Sequence, residues 1–152
     1  WGSFPTTAGG GGNELDAYVS YDFGPLALTV TNYTFPDGDG TYSSGGFFEG
    51  DLEISASTEI GGLSLMGGYF PDLETLYIEA GFGLGDVDFA IGFGSDSADA
   101  FYVGAGESAI CNVSFGYSKE IKITDDYSLP LFSSFIFNPK SEAAFIVFGA
   151  SF

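Results

Sequence analysis

The feature that most constrains this chain is a two-residue alternation of polar and apolar side chains over residues 47–60. One side of this segment is acidic or hydroxylated and the other is largely apolar, with Glu49, Asp51, Glu53, Ser55, Ser57 and Glu59 opposite Phe48, Leu52, Ile54, Ala56 and Ile60. Successive side chains of a β-strand point to opposite faces, so the pattern predicts a strand with one polar and one apolar face.

The same alternation recurs along the chain and predicts nine strands, each near the ~9–11 residues that cross a bilayer at a tilt. The predicted ranges are 14–23, 26–35, 47–60, 63–70, 76–84, 87–94, 111–118, 127–137 and 143–152. The 24 glycines disfavour helices, and the many Phe, Tyr, Ile and Val residues favour strands.

Composition excludes several classes of function. The chain has 21 Asp and Glu residues against three Lys or Arg residues, a net charge of −18, which argues against nucleic acid as a partner. Histidine is absent and Cys111 is the single cysteine, so Ser/His/Asp sites, Cys/His sites and zinc sites of the His/Cys type cannot be built. We therefore expect no enzyme activity, no catalytic residue and no cofactor.

The connections between predicted strands alternate in length, which favours a transmembrane barrel. Pairs such as Gly24-Pro25, Gly61-Gly62 and Gly85-Asp86 make short turns, while segments 36–45, 71–75 and 95–108 are longer and fall on the opposite side. Aromatic residues near the strand ends suit the two membrane interfaces: Phe23, Tyr117 and Phe152 on the turn side, and Phe35, Phe47, Phe48, Tyr69, Tyr77, Phe93 and Phe137 on the loop side.

The predicted fold class is therefore all-β, an antiparallel up-and-down transmembrane β-barrel, with residues 1–152 forming a single domain in the bacterial outer membrane. A soluble β-sandwich or a lipocalin-like barrel is the alternative, since every antiparallel sheet alternates. The uniform apolar face with aromatic edges favours contact with outer-membrane lipid.

Strand parity predicts that the full barrel has ten to twelve strands. Such barrels usually have an even number of strands with both ends on the periplasmic side. If the last of nine strands ends on the periplasmic side, the first of them must begin on the opposite, loop side. Residues 1–5 are therefore interpreted as the end of an earlier strand. We expect upstream N-terminal strands that this chain lacks.

Several short motifs resemble the Gcw_chp family of uncharacterised bacterial proteins, which are thought to be outer-membrane barrels. The matching pieces are Trp1-Gly2-Ser3, Glu14-Leu15-Asp16 with Tyr18 and Tyr21, Tyr33-Thr34-Phe35-Pro36, Phe48-Glu49, Asn138-Pro139 and Gly149-Ala150-Ser151-Phe152. The resemblance spans most of the chain and implies an outer-membrane barrel with an additional upstream segment. It implies no established activity.

The acidic side of the strands is the candidate functional site. If it lines a water-filled lumen, the local potential is strongly negative and attracts cations. The predicted lining residues are Glu14, Asp16, Asp22, Glu49, Asp51, Glu53, Glu59, Glu79 and Asp88. The first hypothesis is a cation-preferring pore or small-solute channel. The second is a structural or anchoring barrel with a closed lumen, a subunit of a larger assembly of outer-membrane proteins.

Four smaller features receive plain interpretations. Asp37 and Asp39 offer alternating oxygen ligands for calcium, but the remaining ligands are missing and a solvated hairpin tip is the better interpretation. The acidic stretch 96–99 is likewise interpreted as solvated loop. Cys111 is predicted to be an inert residue on the lipid face. Gly81, Gly83, Gly92 and Gly94 on the polar side suit a crowded or narrow lumen.

Overall fold

The computed structural model describes residues 1–3, 12–36, 46, 49–98 and 100–151. These residues form one antiparallel sheet of ten strands, in which each strand pairs with its neighbours in sequence. The strands are β1 Gly2–Ser3, β2 Glu14–Asp22, β3 Leu26–Thr34, β4 Asp51–Ile60, β5 Leu63–Phe70, β6 Thr75–Leu84, β7 Val87–Ser95, β8 Ser108–Lys122, β9 Ser128–Asn138 and β10 Ala143–Ala150.

The predicted all-β, antiparallel fold is confirmed. Each of the nine predicted strands has a counterpart, and β1 adds a tenth by pairing Gly2 with Leu15 of β2. The described part of the chain contains no helix long and apolar enough to cross a membrane. The main differences lie at strand ends, where β4 begins only at Asp51 and β8 extends to Lys122.

The connections fall at two ends of the sheet, which we call the turn end and the loop end. Residues 23–25, 61–62, 85–86 and 123–127 connect strands at the turn end, and residues 35–50, 71–74, 96–107 and 139–142 connect them at the loop end. Gly61 and Gly62 have φ values of 62° and 82°, the left-handed pair that a two-residue hairpin turn requires. The predicted longer loop at 71–75 is wrong, because residues 71–74 form a four-residue turn, as 139–142 do, and Thr75 already belongs to β6.

The two edges of the sheet are β1 and β10. Among the pairings of the described residues, β1 joins only β2 and β10 joins only β9, so no ladder closes the sheet. The sheet is nevertheless curved. In a flat sheet, strands five positions apart would be about 24 Å from each other, yet residues of β4 and β9 line the same cavity.

From β2 to β8 the two faces of the sheet differ sharply in composition, whereas on β9 and β10 the polar face also carries Phe132, Phe145 and Val147. The polar face, defined by Asp16, Glu53, Glu79 and Asp88, is the one around which the sheet curves. The opposite apolar face carries large aliphatic and aromatic side chains that nothing in the described chain covers. They include Val19 (76% exposed), Ile54 (50%), Ile78 (48%), Ile91 (48%), Phe115 (52%) and Ile146 (66%).

A β-bulge interrupts the pairing of β7 with β8 between Gly92 and Phe93. It leaves Cys111 as an extra residue in β8 and turns its side chain to the polar face, where the Sγ atom lies close to Gly94. Cys111 is only 7% exposed. Its predicted place on the lipid face is therefore wrong, because a bulge resets the two-residue alternation that the prediction assumed.

Candidate functional site

Eight of the nine predicted lumen acids lie on strands and share the polar face. These eight are Glu14, Asp16 and Asp22 on β2, Asp51, Glu53 and Glu59 on β4, Glu79 on β6 and Asp88 on β7. Glu49 is the exception, since it lies in a turn before β4 and its backbone N–H donates to the Gly46 carbonyl at 3.1 Å. The alternation placed it on a strand that in fact starts two residues later.

The turn-end half of the polar face is open. Glu59, Glu79 and Asp88 line a cavity of about 500 Å³, which we call the acidic cavity. Its remaining wall combines small and hydroxyl-bearing residues with four aromatic ones: Ser64, Gly81, Gly83, Ser114, Gly116 and Ser134, and Phe82, Phe89, Tyr117 and Phe132. A second hollow of about 360 Å³ shares Glu59, Ser64 and Glu79 with it and extends to Asp22 on β2.

No lysine neutralises these carboxylates. Lys122 pairs with Asp125 at 2.7 Å in the β8–β9 turn, and Lys140 pairs with Glu107 at the loop end. By the register of its strand, Lys119 belongs to the apolar face. The acidic cavity therefore carries an uncompensated negative charge, which attracts cations and repels anions.

Glu79 is held in place by a small network at the middle of the polar face. Asn112 Nδ2 donates to Glu79 Oε2 at 2.7 Å and to the Tyr77 hydroxyl at 3.1 Å, and that hydroxyl donates to Glu79 Oε2 as well. The prediction that Tyr77 belongs to an aromatic belt at the membrane interface is therefore wrong. Its register places it on the polar face, opposite Gly94 of β7.

The β7–β8 connection, residues 96–98 and 100–107 of the described chain, covers the middle of the loop-end half of the polar face, and we call it the plug loop. The Phe70 ring of β5, only 1% exposed, lies 4.7 Å from the Phe101 ring and 6.3 Å from the Tyr102 ring of the plug loop. Tyr102 also packs on Tyr77, with ring centroids 5.0 Å apart. The described core of this protein thus lies on its polar face.

Asp96 fastens the plug loop. Its Oδ2 atom accepts the backbone N–H groups of Phe101 (3.0 Å), Tyr102 (2.9 Å), Val103 (2.7 Å) and Gly104 (2.9 Å). Burial raises the pKa of this carboxyl, but the four N–H donors outweigh it and hold the pKa below its usual value.

The predicted solvated loop is wrong at Asp96, which is 4% exposed. The missed signal was the run Phe101-Tyr102-Val103, three apolar or aromatic residues within a segment otherwise interpreted as polar. The run packs against the polar face, where Val103 is 8% exposed and Phe101, although 39% exposed, contacts the Phe70 ring.

Glycines on the polar face make room for these large side chains. A Cβ at Gly94 would lie 2.6 Å from Tyr102 Cβ, and a Cβ at Gly68 would lie 2.8 Å from the Glu53 carboxyl carbon. Glu53, 7% exposed, rests on Gly68 and hydrogen-bonds with the Ser55 and Tyr102 side chains. The polar face is therefore closely packed at Gly68 and Gly94.

The described residues contain no group of three or more acidic, cysteine or histidine side chains arranged to hold a metal ion. The calcium candidate Asp37 and Asp39 lies outside the described residues, as does Asp99. The chemistry that the described site offers is electrostatic, namely an acidic, hydroxyl-lined cavity that is open at the turn end and covered at the loop end.

Comparisons with known proteins return nothing similar. No protein-family model matches the chain, and neither a characterised protein nor a solved structure does so.

Proposed function

We propose that this chain forms the wall of a bacterial outer-membrane β-barrel with an acidic lumen that the plug loop closes at the loop end, so that it acts as a structural or anchoring barrel. The observation that carries the proposal is the uncovered apolar face, on which residues such as Val19 and Ile146 are 76% and 66% exposed. Hydrocarbon is the solvent that stabilises such a face, and outer-membrane barrels direct apolar residues outward and polar residues inward.

Strand lengths and hydrogen bonding support this proposal. Strands β2 to β10 have between 8 and 15 residues, and a tilted strand needs about 9–11 residues to cross a bilayer. A strand inside a bilayer needs partners on both sides, because no water is there to satisfy its backbone. The proposal therefore requires the edges β1 and β10 to be paired in the membrane-embedded protein, either with each other or through further strands.

The lipid contact can be tested with one matched pair of labels. In the full-length protein with Cys111→Ser, a fluorophore is attached to Ile91→Cys on the apolar face or to its neighbour Ala90→Cys on the polar face. After reconstitution in vesicles, a lipid-borne nitroxide quencher should quench the label at position 91 strongly and the label at position 90 weakly. Equal quenching at the two positions would overturn the membrane assignment.

The plug loop favours a closed lumen over an open pore, because Tyr102 and the buried Val103 lie over the loop-end half of the polar face and Phe101 packs on Phe70. In planar bilayers, the reconstituted full-length protein should therefore show little or no steady conductance. A large, steady conductance of the unmodified protein would contradict the closed-lumen proposal.

A cation-preferring pore is the second candidate, and the acidic cavity without a lysine favours it. If this candidate is correct, the conductance passes K⁺ in preference to Cl⁻, because the lining carboxylates repel anions. Replacing Glu59, Glu79 and Asp88 by their amides should then weaken that preference without closing the pore.

The kinship with the Gcw_chp family is part of the same proposal. It rests on the short motifs at Trp1-Gly2-Ser3, Glu14-Leu15-Asp16 and Asn138-Pro139.

A location in the outer membrane follows from the same barrel assignment, and fractionation of cells that express the full-length protein would test it. Recovery in the soluble periplasmic fraction would count against it.

A further inference from the structure

A groove crosses the apolar face near the turn end of β8, β9 and β10. Tyr117, Ser133 and Phe148 lie side by side in one row across these strands. The two rings stand two strand spacings apart, about 10 Å, with only the small serine between them. The resulting hollow has a volume of about 380 Å³, and its wall is mostly apolar.

The groove is closed at one end and charged at the other. Toward the middle of the sheet, the stacked rings of Phe115 and Phe135, with centroids 5.2 Å apart, occupy the next row. Toward the turn end, Lys119 lies opposite Leu131 and lines the groove.

Lys119 differs from the other two lysines of the chain. Lys122 and Lys140 are each paired with a carboxylate, whereas no ion pair in the described part of the chain involves Lys119. In a protein of net charge −18, a cation without a carboxylate partner at the end of an apolar groove is complementary to an amphiphile with an anionic head.

We propose that this groove binds one phospholipid with a net negative headgroup, with an acyl chain over Ser133 between Tyr117 and Phe148 and the phosphate at Lys119. The inference rests on the proposed function, because it requires the apolar face to meet a bilayer. Near the membrane surface, lysine side chains reach toward the headgroups while their methylene stems cover apolar surface.

Native mass spectrometry of the full-length protein in detergent, with dioleoyl phosphatidylglycerol as the probe, tests this inference. One lipid should be retained per protein. Lys119→Gln should weaken retention about five-fold, the effect of one lysine near an anionic surface. The control Lys122→Gln, at a lysine already paired with Asp125, should leave retention unchanged.

The groove itself is tested by Ser133→Leu, which fills the floor with a side chain that a lipid-facing position tolerates. This variant should reduce retention of phosphatidylglycerol and of the zwitterionic phosphatidylcholine alike. Equal retention by Lys119→Gln and Lys122→Gln, or unchanged retention by Ser133→Leu, would overturn the site. Displacement of the lipid by millimolar inorganic phosphate would also overturn it, since the acyl chain would then contribute nothing.

The two proposals fail separately. If the labels at positions 90 and 91 are quenched equally, the membrane assignment is lost and the lipid groove with it. If quenching is selective but Lys119→Gln leaves lipid retention unchanged, only the proposal of a lipid-binding groove is overturned.

Discussion

The two halves of the polar face have the same alternating pattern but opposite environments. At the turn end, Glu59 and Asp88 border an open cavity, whereas at the loop end Glu53 is 7% exposed beneath the aromatic side chains of the plug loop. The strands alone do not create this difference. A connection that folds back over the sheet decides which carboxylates meet water and which are buried, so position on a face does not by itself make a residue part of a lumen.

The largest expected difference between the halves concerns two residues of β5 that share the polar face. Phe70→Ala removes a ring that is 1% exposed and should cost about 3–5 kcal/mol of the free energy of unfolding. Met66→Ala, two rows nearer the turn end, should cost only about 1 kcal/mol, because the Met66 side chain is half-buried and already borders a hollow. Urea unfolding in detergent micelles measures both, and equal losses would mean that the loop end is not a packed core.

A matched pair of glycines gives the next largest effect. Gly94→Ala would bring a methyl group to 2.6 Å from Tyr102 Cβ and should cost about 1–3 kcal/mol through overpacking. At Gly116, on the turn-end half, the nearest atom would be 3.7 Å away, so the same substitution should be nearly neutral. If both variants unfold at the same urea concentration, Tyr102 does not occupy the place described here.

Asp96 tests whether the plug loop is fastened by charge. Asp96→Asn keeps the shape but weakens four N–H contacts, and should cost about 1–2 kcal/mol and speed hydrogen exchange of the amides of residues 101–104. Asp88→Asn, in the open half, is the control and should leave both measurements unchanged. Unchanged exchange in Asp96→Asn would show that aromatic packing alone holds the loop.

The pH dependence of the same contact has a definite sign. The pKa of Asp96 is lowered from 3.8 in the folded protein, so its contribution to stability is present above that pH and is lost as the pH falls through the lowered value. Exchange of the amides of residues 101–104 should therefore accelerate, relative to the intrinsic rate, only below about pH 3.8. In Asp96→Asn this acceleration should be absent.

The sequence pattern predicts the strands well, because alternation and turn residues are local properties of the chain. It assigns eight acids to one face for the same reason. It fails at Glu49, Asp96 and Cys111, each of which depends on a non-local event: where pairing begins, how a loop folds back, or where a bulge falls. None of these three events leaves a periodic trace. Tyr77 is different, because the same alternation already places it on the polar side with Glu79, and the aromatic-belt interpretation disregarded that pattern.

The bulge in β8 also places a reactive group, the thiol of Cys111, where its rate of alkylation depends on the plug loop. The single thiol, at Cys111, lies near Gly94 and Val103, beneath the plug loop, and is 7% exposed. Because the plug loop covers this thiol, a water-soluble maleimide should alkylate the unmodified chain slowly, and faster in Asp96→Asn, where the loop loses part of its attachment.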